Sequence, residues 1–109
     1  MTSMTRLEIK VPDLNDSFSR VVLGKKQYLI RFTWNETSGC WSFGLYTLHR
    51  EPLATAIRIV PNFPLNLQIV RDDYPQGVFG AYCGLEKIGR KDFAEGRAVF
   101  AYVPANQGR

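Results

Sequence analysis

The stretch YLIRFTWNETSGCWSF, residues 28–43, decides the fold because its hydrophobic residues alternate on both sides of a small polar loop. Alternation of this kind is typical of β-strands that bury one face. If residues 36–39 form a four-residue loop, Trp34 lies opposite Trp41 in an antiparallel hairpin. One face of the hairpin then carries Ile30, Phe32, Trp34, Trp41, Phe43 and Leu45. The sequence therefore predicts a hairpin that covers a hydrophobic core.

The two tryptophans of this hairpin have two interpretations. Oligonucleotide-binding barrels stack bases on exposed aromatic side chains between basic residues, and Tyr28, Arg31 and Tyr46 could complete such a platform. The predicted register instead puts both indole rings on the face that carries the other large apolar side chains of the hairpin. Because so apolar a face is normally core or interface, we predict that the tryptophans hold the hairpin together.

The same strand pattern recurs along the chain. Strands are predicted in the segments RLEIKV, SFSRVVLG, KKQYLIRFTW, WSFGLY, LATAIRIV, GVFGAY and RAVFAYV. Between the second and third segments, Gly24 and two lysines fit a hairpin loop of two or three residues. These two loop lengths place either Val21 or Val22 opposite Tyr28, and the two valines face opposite sides of the sheet.

The segment from residue 61 to residue 76 contains three of the chain's prolines, which exclude a long helix or a central strand there. A short edge strand or a covering loop is expected instead, and a short helical turn fits residues 91–95. We predict an all-β fold of about seven short strands with little or no helix, either a small antiparallel β-barrel or a β-sandwich. One β domain is expected over residues 1–109, with a core at about 6–103 and a C-terminal tail at 104–109.

The formal net charge of +4 over 109 residues raises the question of nucleic-acid binding. The basic residues are scattered, with adjacent pairs only at Lys25–Lys26 and Arg90–Lys91 among the inner segments, whereas a DNA-binding protein gathers its positive charge along one helix or stripe. Direct nucleic-acid binding is therefore the less favoured interpretation. No apolar run reaches the roughly 18 to 20 residues of a membrane-spanning helix, and no signal-peptide layout is present. No membrane partner is expected, and the default compartment is the cytosol.

No arrangement of residues indicates catalysis, a cofactor or a bound metal. His49 is the only histidine, and it lies in the turn segment HREP, where a solvated side chain is the simpler explanation. Cys40 and Cys83 are far apart and form no CxxC pair, which argues against zinc and favours two separate thiols in a reducing compartment. The sequence therefore predicts a protein that is not an enzyme, with no catalytic, cofactor-binding or metal-binding residues.

Four segments together resemble one known family. They are LGKKQYLIRFTWN, WSFGLY, PLATAIRIVPNFPL and the closing IGRKDFAEGRAVFAYV, and their order along the chain is similar to that in the small baseplate plug proteins of contractile-tailed bacteriophages. The resemblance covers roughly residues 6–103. One departure is the segment HREP, where the family usually has a turn of the Asp-Gly type.

The resemblance implies an all-β structural protein of the virion, without cofactor or turnover. It implies a subunit that is made in the host bacterial cytoplasm and packs in several copies around the tail axis, between the tail tube and the hub or spike of the baseplate. The expected partners are these tail proteins, the baseplate ring and other copies of the chain. Contacts are expected from the N-terminal segment, the 61–76 loop and the C-terminal tail, in particular from Arg6, Pro61, Phe63, Pro64, Tyr74 and Arg109. The alternative function is a small nucleic-acid-binding β-barrel.

Overall fold

The computed structural model describes residues 7–23, 26–62, 64–65, 77–84 and 86–104, and at residues 64, 65, 77 and 104 it describes the backbone only. The described residues form eight strands and contain no helix, which confirms the predicted all-β class. The strands are β1 Leu7–Ile9, β2 Asp16–Leu23, β3 Lys26–Asn35, β4 Cys40–Tyr46, β5 Pro52–Arg58, β6 Pro64–Leu65, β7 Gly77–Cys83 and β8 Ala98–Pro104. The chain between residues 91 and 95 makes a single turn, closed by a 2.9 Å hydrogen bond from the Glu95 N–H to the Lys91 carbonyl.

The strands form two four-stranded antiparallel sheets. The hairpin sheet has the order β2-β3-β4-β5, so its strands follow each other along the chain. The terminal sheet has the order β1-β8-β7-β6 and pairs the N-terminal strand with the C-terminal one. Within the described residues, neither sheet closes on itself or on the other, so the β-sandwich is confirmed and the β-barrel alternative is wrong. The edges of the sandwich are β1 and β2 at one end of the two strand orders, and β5 and β6 at the other.

The hairpin of β3 and β4 has the register that the sequence predicts. Trp34 lies opposite Trp41, Phe32 opposite Phe43, and Ile30 opposite Leu45. Five of these six side chains are buried, and Trp34 at the end of the hairpin is half-buried. The loop of residues 36–39 is closed by a 2.7 Å hydrogen bond from the Gly39 N–H to the Asn35 carbonyl.

The core lies between the two sheets and is built mainly from aromatic rings. Phe32 of the hairpin sheet meets Phe100 of the terminal sheet edge to face at 5.1 Å between centroids. Phe43 contacts Phe79 and Phe100, each at 5.1 Å. Burying each such ring stabilises the fold by roughly 1.5–3 kcal/mol, and offset or edge-to-face geometry adds about 0.5–1.5 kcal/mol. The alternating apolar residues of both sheets therefore interlock across one interface.

The register of the β2–β3 hairpin, which the sequence leaves open, pairs Val21 with Tyr28. Leu23 pairs with Lys26, so the loop between them has two residues. Tyr28 is buried in the core, whereas Val22 faces outward and is 55% exposed. The shorter of the two predicted loops is the one that the structure contains.

Candidate assembly surfaces

The buried end of the β3–β4 hairpin is covered by the loop of residues 89–97. Trp41 donates its indole N–H to the Gly89 carbonyl at 3.2 Å, and its ring meets Phe93 edge to face at 6.0 Å. The guanidinium carbon of Arg90 lies 5.4 Å from the centre of the same indole ring. Trp34 contacts Trp41 edge to face at 5.5 Å. Trp41 is thus enclosed by protein, and its ring offers no open face to a ligand.

Asp92 gives the 89–97 loop its shape. Its side chain is buried and accepts a 2.6 Å hydrogen bond from the Gly89 N–H and another of 2.6 Å from Nε of Arg97. Its backbone carbonyl accepts from the N–H groups of Arg97 and Ala98, where β8 begins. The Gly89 hydrogen bond, followed by the Arg97 guanidinium, holds the pKa of the Asp92 carboxyl below its ordinary value. Asp92 therefore fixes the loop against β8 through both its carboxylate and its backbone carbonyl.

A second set of ion pairs ties the 89–97 loop to the turn between β1 and β2. Asp13 accepts hydrogen bonds from Arg90 at 2.7 Å and from Lys91 at 3.0 Å. Arg90 also donates from Nε to the side-chain oxygen of Asn15 at 2.6 Å. These contacts lower the pKa of Asp13, with Lys91 the larger cause and Arg90 the next. Because the groups are partly exposed, each pair stabilises the fold little, but together they orient two loops that are far apart in sequence.

The outer face of the hairpin sheet carries a cluster of cationic and aromatic side chains, which we call the Phe18 patch. It consists of Phe18, Arg31, Tyr46 and Arg50. Phe18 meets Tyr46 edge to face at 5.2 Å, and the guanidinium carbons of Arg50 and Arg31 lie 4.4 and 5.5 Å from the centre of its ring. Tyrosine and arginine are the residues that dominate binding energy at protein interfaces. The patch therefore has the composition of an assembly contact.

Arg31 is held in the patch by Asp16, which accepts two hydrogen bonds from its guanidinium at 2.8 and 2.6 Å. This pairing lowers the pKa of Asp16 and raises that of Arg31, to which Tyr46 contributes as a smaller cause. Beside the patch, the same face has an open hollow of about 560 Å³. Its wall includes Arg31, Thr33, Ser42, Gly44, Tyr46 and Thr55. The hollow offers hydroxyl, guanidinium and ring surfaces to a neighbouring protein.

Sequence reasoning does not find the Phe18 patch because it leaves the β2–β3 register open. Once Val21 is opposite Tyr28, Phe18 lies opposite Arg31, and Arg31 lies opposite Gly44 in the next strand. The absence of a side chain at Gly44 leaves space on the sheet for the Tyr46 ring, whose Cε1 atom would lie 3.1 Å from an added Cβ. The residues of the patch could therefore be identified from the sequence only if the length of the β2–β3 loop were known, and the structure supplies that length.

The predicted contact residues are described only in part. Pro61 makes an isolated parallel bridge with Ala81, and Pro64 pairs through its backbone with Gly80 as part of β6. Between them, Asn62 donates from its side chain to the Cys83 carbonyl at 2.8 Å. The other predicted contact residues, Arg6, Phe63, Tyr74 and Arg109, lie outside the described residues.

The residues that could have formed a base-stacking platform do not share a surface. Tyr28 and Trp41 are buried, with exposed fractions of 3% and 1%. Arg31 and Tyr46 lie on the opposite, outer face of the same sheet, in the Phe18 patch. Trp34 is half-buried, and its indole N–H donates to Glu36 at 2.9 Å. The geometry thus argues against stacking of successive bases on these rings.

The described part of the chain also contains no cluster of three or more histidine, cysteine, aspartate or glutamate residues that could hold a metal ion. His49 is exposed in its turn, where its backbone N–H donates to the Thr47 hydroxyl at 3.2 Å. Among the described residues, neither Cys40 nor Cys83 forms a disulfide. No helix within the described ranges is long and apolar enough to cross a membrane.

Comparison with known families gives a match over most of the chain. Residues 4–105 match the family model described as "Cyanophage baseplate Pam3 plug gp18". The matched range includes every strand of both sheets, from β1 to β8. Curated proteins give no match to the chain.

Proposed function

Because the chain belongs to the cyanophage Pam3 baseplate plug family, and is therefore a structural protein of the phage tail baseplate, we propose that it packs between the tail tube and the hub or spike. Several copies surround the tail axis, and their neighbours are the tube, hub, spike and baseplate ring. The observation that carries this proposal is the length of the family match, residues 4–105 of 109. A match over both sheets concerns the whole fold and not a single motif.

The structure suggests how such a subunit works. Its aromatic core, in which Phe100 contacts both Phe32 and Phe43, makes a closely packed sandwich. Contacts with neighbours then come from the outer face and the segments that lie outside the core. We assign these contacts to the Phe18 patch, the N-terminal segment, the 61–76 loop and the C-terminal tail. The formal charge of +4 supports binding to acidic neighbours, since complementary charge speeds docking and fixes its orientation.

The 61–76 loop is tested by replacing residues 66–76 with a glycine-serine linker of the same length. Removal of the whole loop would be a poorer test, because Asn62 hydrogen-bonds to Cys83 and β6 pairs with β7. The linker variant should fold, with a thermal unfolding midpoint close to that of the wild type, but should not enter baseplates during phage assembly. Mass spectrometry of purified tails measures incorporation. Incorporation at the wild-type level would contradict a contact role for this loop.

The Phe18 patch is tested by Phe18→Ala. The ring lies on the outer face, so its loss should leave the fold intact, whereas truncation of a hot-spot residue of an interface costs about 2 kcal/mol or more of binding free energy. Incorporation into tails should therefore fall strongly. Leu14→Ala is the matched control, since Leu14 is 55% exposed and outside the patch. Equal incorporation of the two variants would show that the patch is not a contact surface.

A further inference from the structure

We propose that β2 accepts an extended strand from a different tail protein, and that apolar side chains of this strand fill a groove between β2 and β1. The inference rests on the proposed function, because it requires the chain to pack against other proteins of the tail. It adds the mode of recognition, which is addition of a strand to an open sheet edge.

The backbone of β2 is prepared for such pairing. The Trp34 N–H donates to the Asn15 carbonyl at 2.8 Å, in line with the pairing of Asp16 with Thr33. Hydrogen-bonded pairs alternate along an antiparallel ladder, so the odd-numbered residues of β2 bond to β3. The N–H and C=O groups of Phe18, Arg20 and Val22 consequently point away from β3, toward the open edge.

β2 is also the least protected of the four sheet edges. β5 is interrupted by register shifts and contains Ala56 with a φ of 57°, a left-handed conformation that breaks the ladder. β1 has three residues and β6 has two. β2 has eight residues in unbroken register, with no proline and no inward-facing charge. Natural sheets usually block such an edge, so a long regular one indicates a partner.

The groove beside β2 has a volume of about 380 Å³. Its apolar lining comes from both edges of the sandwich: Leu7, Ile9, Pro12, Val21 and Val22. Leu7 lies on the same face of β1 as Ile9, yet it is 41% exposed whereas Ile9 is 7% exposed. The inward-facing Ser19 of β2 also lines the groove, and its side chain is too small to cover it. Inward side chains of an added strand would cover this surface.

A second copy of β2 is a poorer occupant. An antiparallel self-pairing centred on Arg20 sets two guanidinium groups opposite each other, which is unfavourable. Centred on Phe18, it places Asp16 opposite Arg20, but Asp16 is already bound by Arg31, and Ser17 then lies opposite Ser19 in the groove. Centred on Ser19, it places Ser19 opposite the same residue of the other copy. Centred on Val21, it pairs only residues 19–23 and leaves the first half of β2 uncovered. The groove therefore favours a strand of different sequence.

The charges at the groove define that sequence further. Lys10 and Arg20 line it and have no carboxylate partner among the described residues, while Glu8 is the single acidic residue in the lining. We therefore assign the occupant apolar side chains at alternate positions and a carboxylate opposite Arg20 on the outer face.

Hydrogen exchange measured on the free chain and on assembled baseplates tests the proposal. In the free chain, the amides of Phe18, Arg20 and Val22 should exchange quickly, and those of Ser19 and Val21 slowly, because only the latter bond to β3. In baseplates, exchange of the first three amides should slow by about tenfold or more, because new hydrogen bonds to the added strand make opening of these amides less frequent. Exchange that stays fast in baseplates would overturn the proposal. Protection in the free chain together with dimerisation, measured by light scattering, would overturn it in favour of a second copy.

A variant pair gives an independent test. Arg20→Pro removes an edge N–H that does not bond to β3, and an edge strand tolerates proline at such a position. Arg20→Ala removes the side chain and keeps the N–H. We expect Arg20→Pro to be lost from baseplates and Arg20→Ala to be retained at a reduced level. Equal incorporation of both would overturn the strand pairing, and if Arg20→Pro does not fold, the exchange measurement decides. Absence of the wild-type chain from baseplates would instead refute the proposed function itself.

Discussion

Trp41 and Gly89 are 48 residues apart in the chain, yet the indole N–H of Trp41 donates a 3.2 Å hydrogen bond to the Gly89 carbonyl. This bond joins the central hairpin to the loop that precedes β8. Within that loop, Asp92 accepts a hydrogen bond from the Gly89 N–H. Gly89 therefore contacts the hairpin sheet through its carbonyl and the buried carboxylate of its own loop through its N–H.

Trp41→Ala should lower the free energy of unfolding by about 3–5 kcal/mol, because it removes a buried ring and its hydrogen bond. Trp34→Ala should cost clearly less, since Trp34 is half-buried at the end of the hairpin. The loss of stability for Trp41→Phe should lie between those of the two alanine variants, at about 1–3 kcal/mol. A ring remains in this variant, but the Gly89 carbonyl loses its donor. Chemical denaturation of the three variants measures the order. Equal losses at the two tryptophan positions would contradict the packing described.

Asp92→Asn should lower stability at neutral pH by about 1–3 kcal/mol, because an amide cannot accept from both Gly89 and Arg97 as the carboxylate does. The pKa of Asp92 is lowered from its ordinary value of 3.8, so its stabilising contribution is present above that value. The contribution is lost as the pH falls through the lower pKa of the folded state. The difference between wild type and variant should therefore narrow below pH 3.8 in urea unfolding curves.

The exposed Asp13→Asn is the control for this measurement, because Asp13 forms its ion pairs at the surface. Its effect at neutral pH should be the smaller of the two and should weaken with added salt. A constant difference between wild type and Asp92→Asn from pH 7 down to acid would contradict the assigned role of the carboxylate.

Gly44→Ala should destabilise the fold by about 1–3 kcal/mol, because an added methyl group has no space. A Cβ at Gly44 would lie 3.1 Å from the Ala54 carbonyl oxygen and 3.4 Å from the Thr55 Cα, both backbone atoms of β5. Gly84→Ala is the matched control, since a Cβ there meets nothing within 4 Å. Thermal unfolding compares the two. A neutral Gly44→Ala variant would show that β5 and its bulge can move aside.

The chain should not bind single-stranded oligonucleotides by base stacking, since Tyr28 and Trp41 are buried and Arg31 faces the other side of the sheet. Any residual binding to the basic surface should disappear steeply as salt is raised. Fluorescence anisotropy with a labelled oligonucleotide measures both. Binding that resists salt and quenches tryptophan fluorescence would support the nucleic-acid alternative instead.

The β3–β4 hairpin could be predicted from the sequence to the level of individual pairs. A loop of residues 36–39 puts the apolar side chains of both strands on one face, whereas a shift by one residue would put Phe32 and Phe43 on opposite faces. The neighbouring β2–β3 hairpin could not be fixed, because its inward residues are weakly apolar. Ser17 and Ser19 can face either the core or the solvent, so the hydrophobic pattern does not distinguish the two registers of this hairpin.

The alternation of apolar residues also could not distinguish a sandwich from a barrel. Both architectures bury alternating residues, and they differ in whether the edge strands β1, β2, β5 and β6 find partners. The hydrogen bonds of Asp92 could not be predicted from the sequence either, because they depend on how residues 89–97 fold back onto Trp41. The ion pairs of Asp13 with Arg90 and Lys91 join segments whose proximity follows only from the complete fold.

The central claim, a plug subunit between tail tube and hub or spike, is tested most directly by cryo-electron microscopy of intact tails. We expect density for the two-sheet sandwich near the tail axis, in several copies, in contact with the tube on one side and the hub or spike on the other. Density for the chain at the baseplate periphery, or tails whose baseplates are complete without it, would contradict the claim.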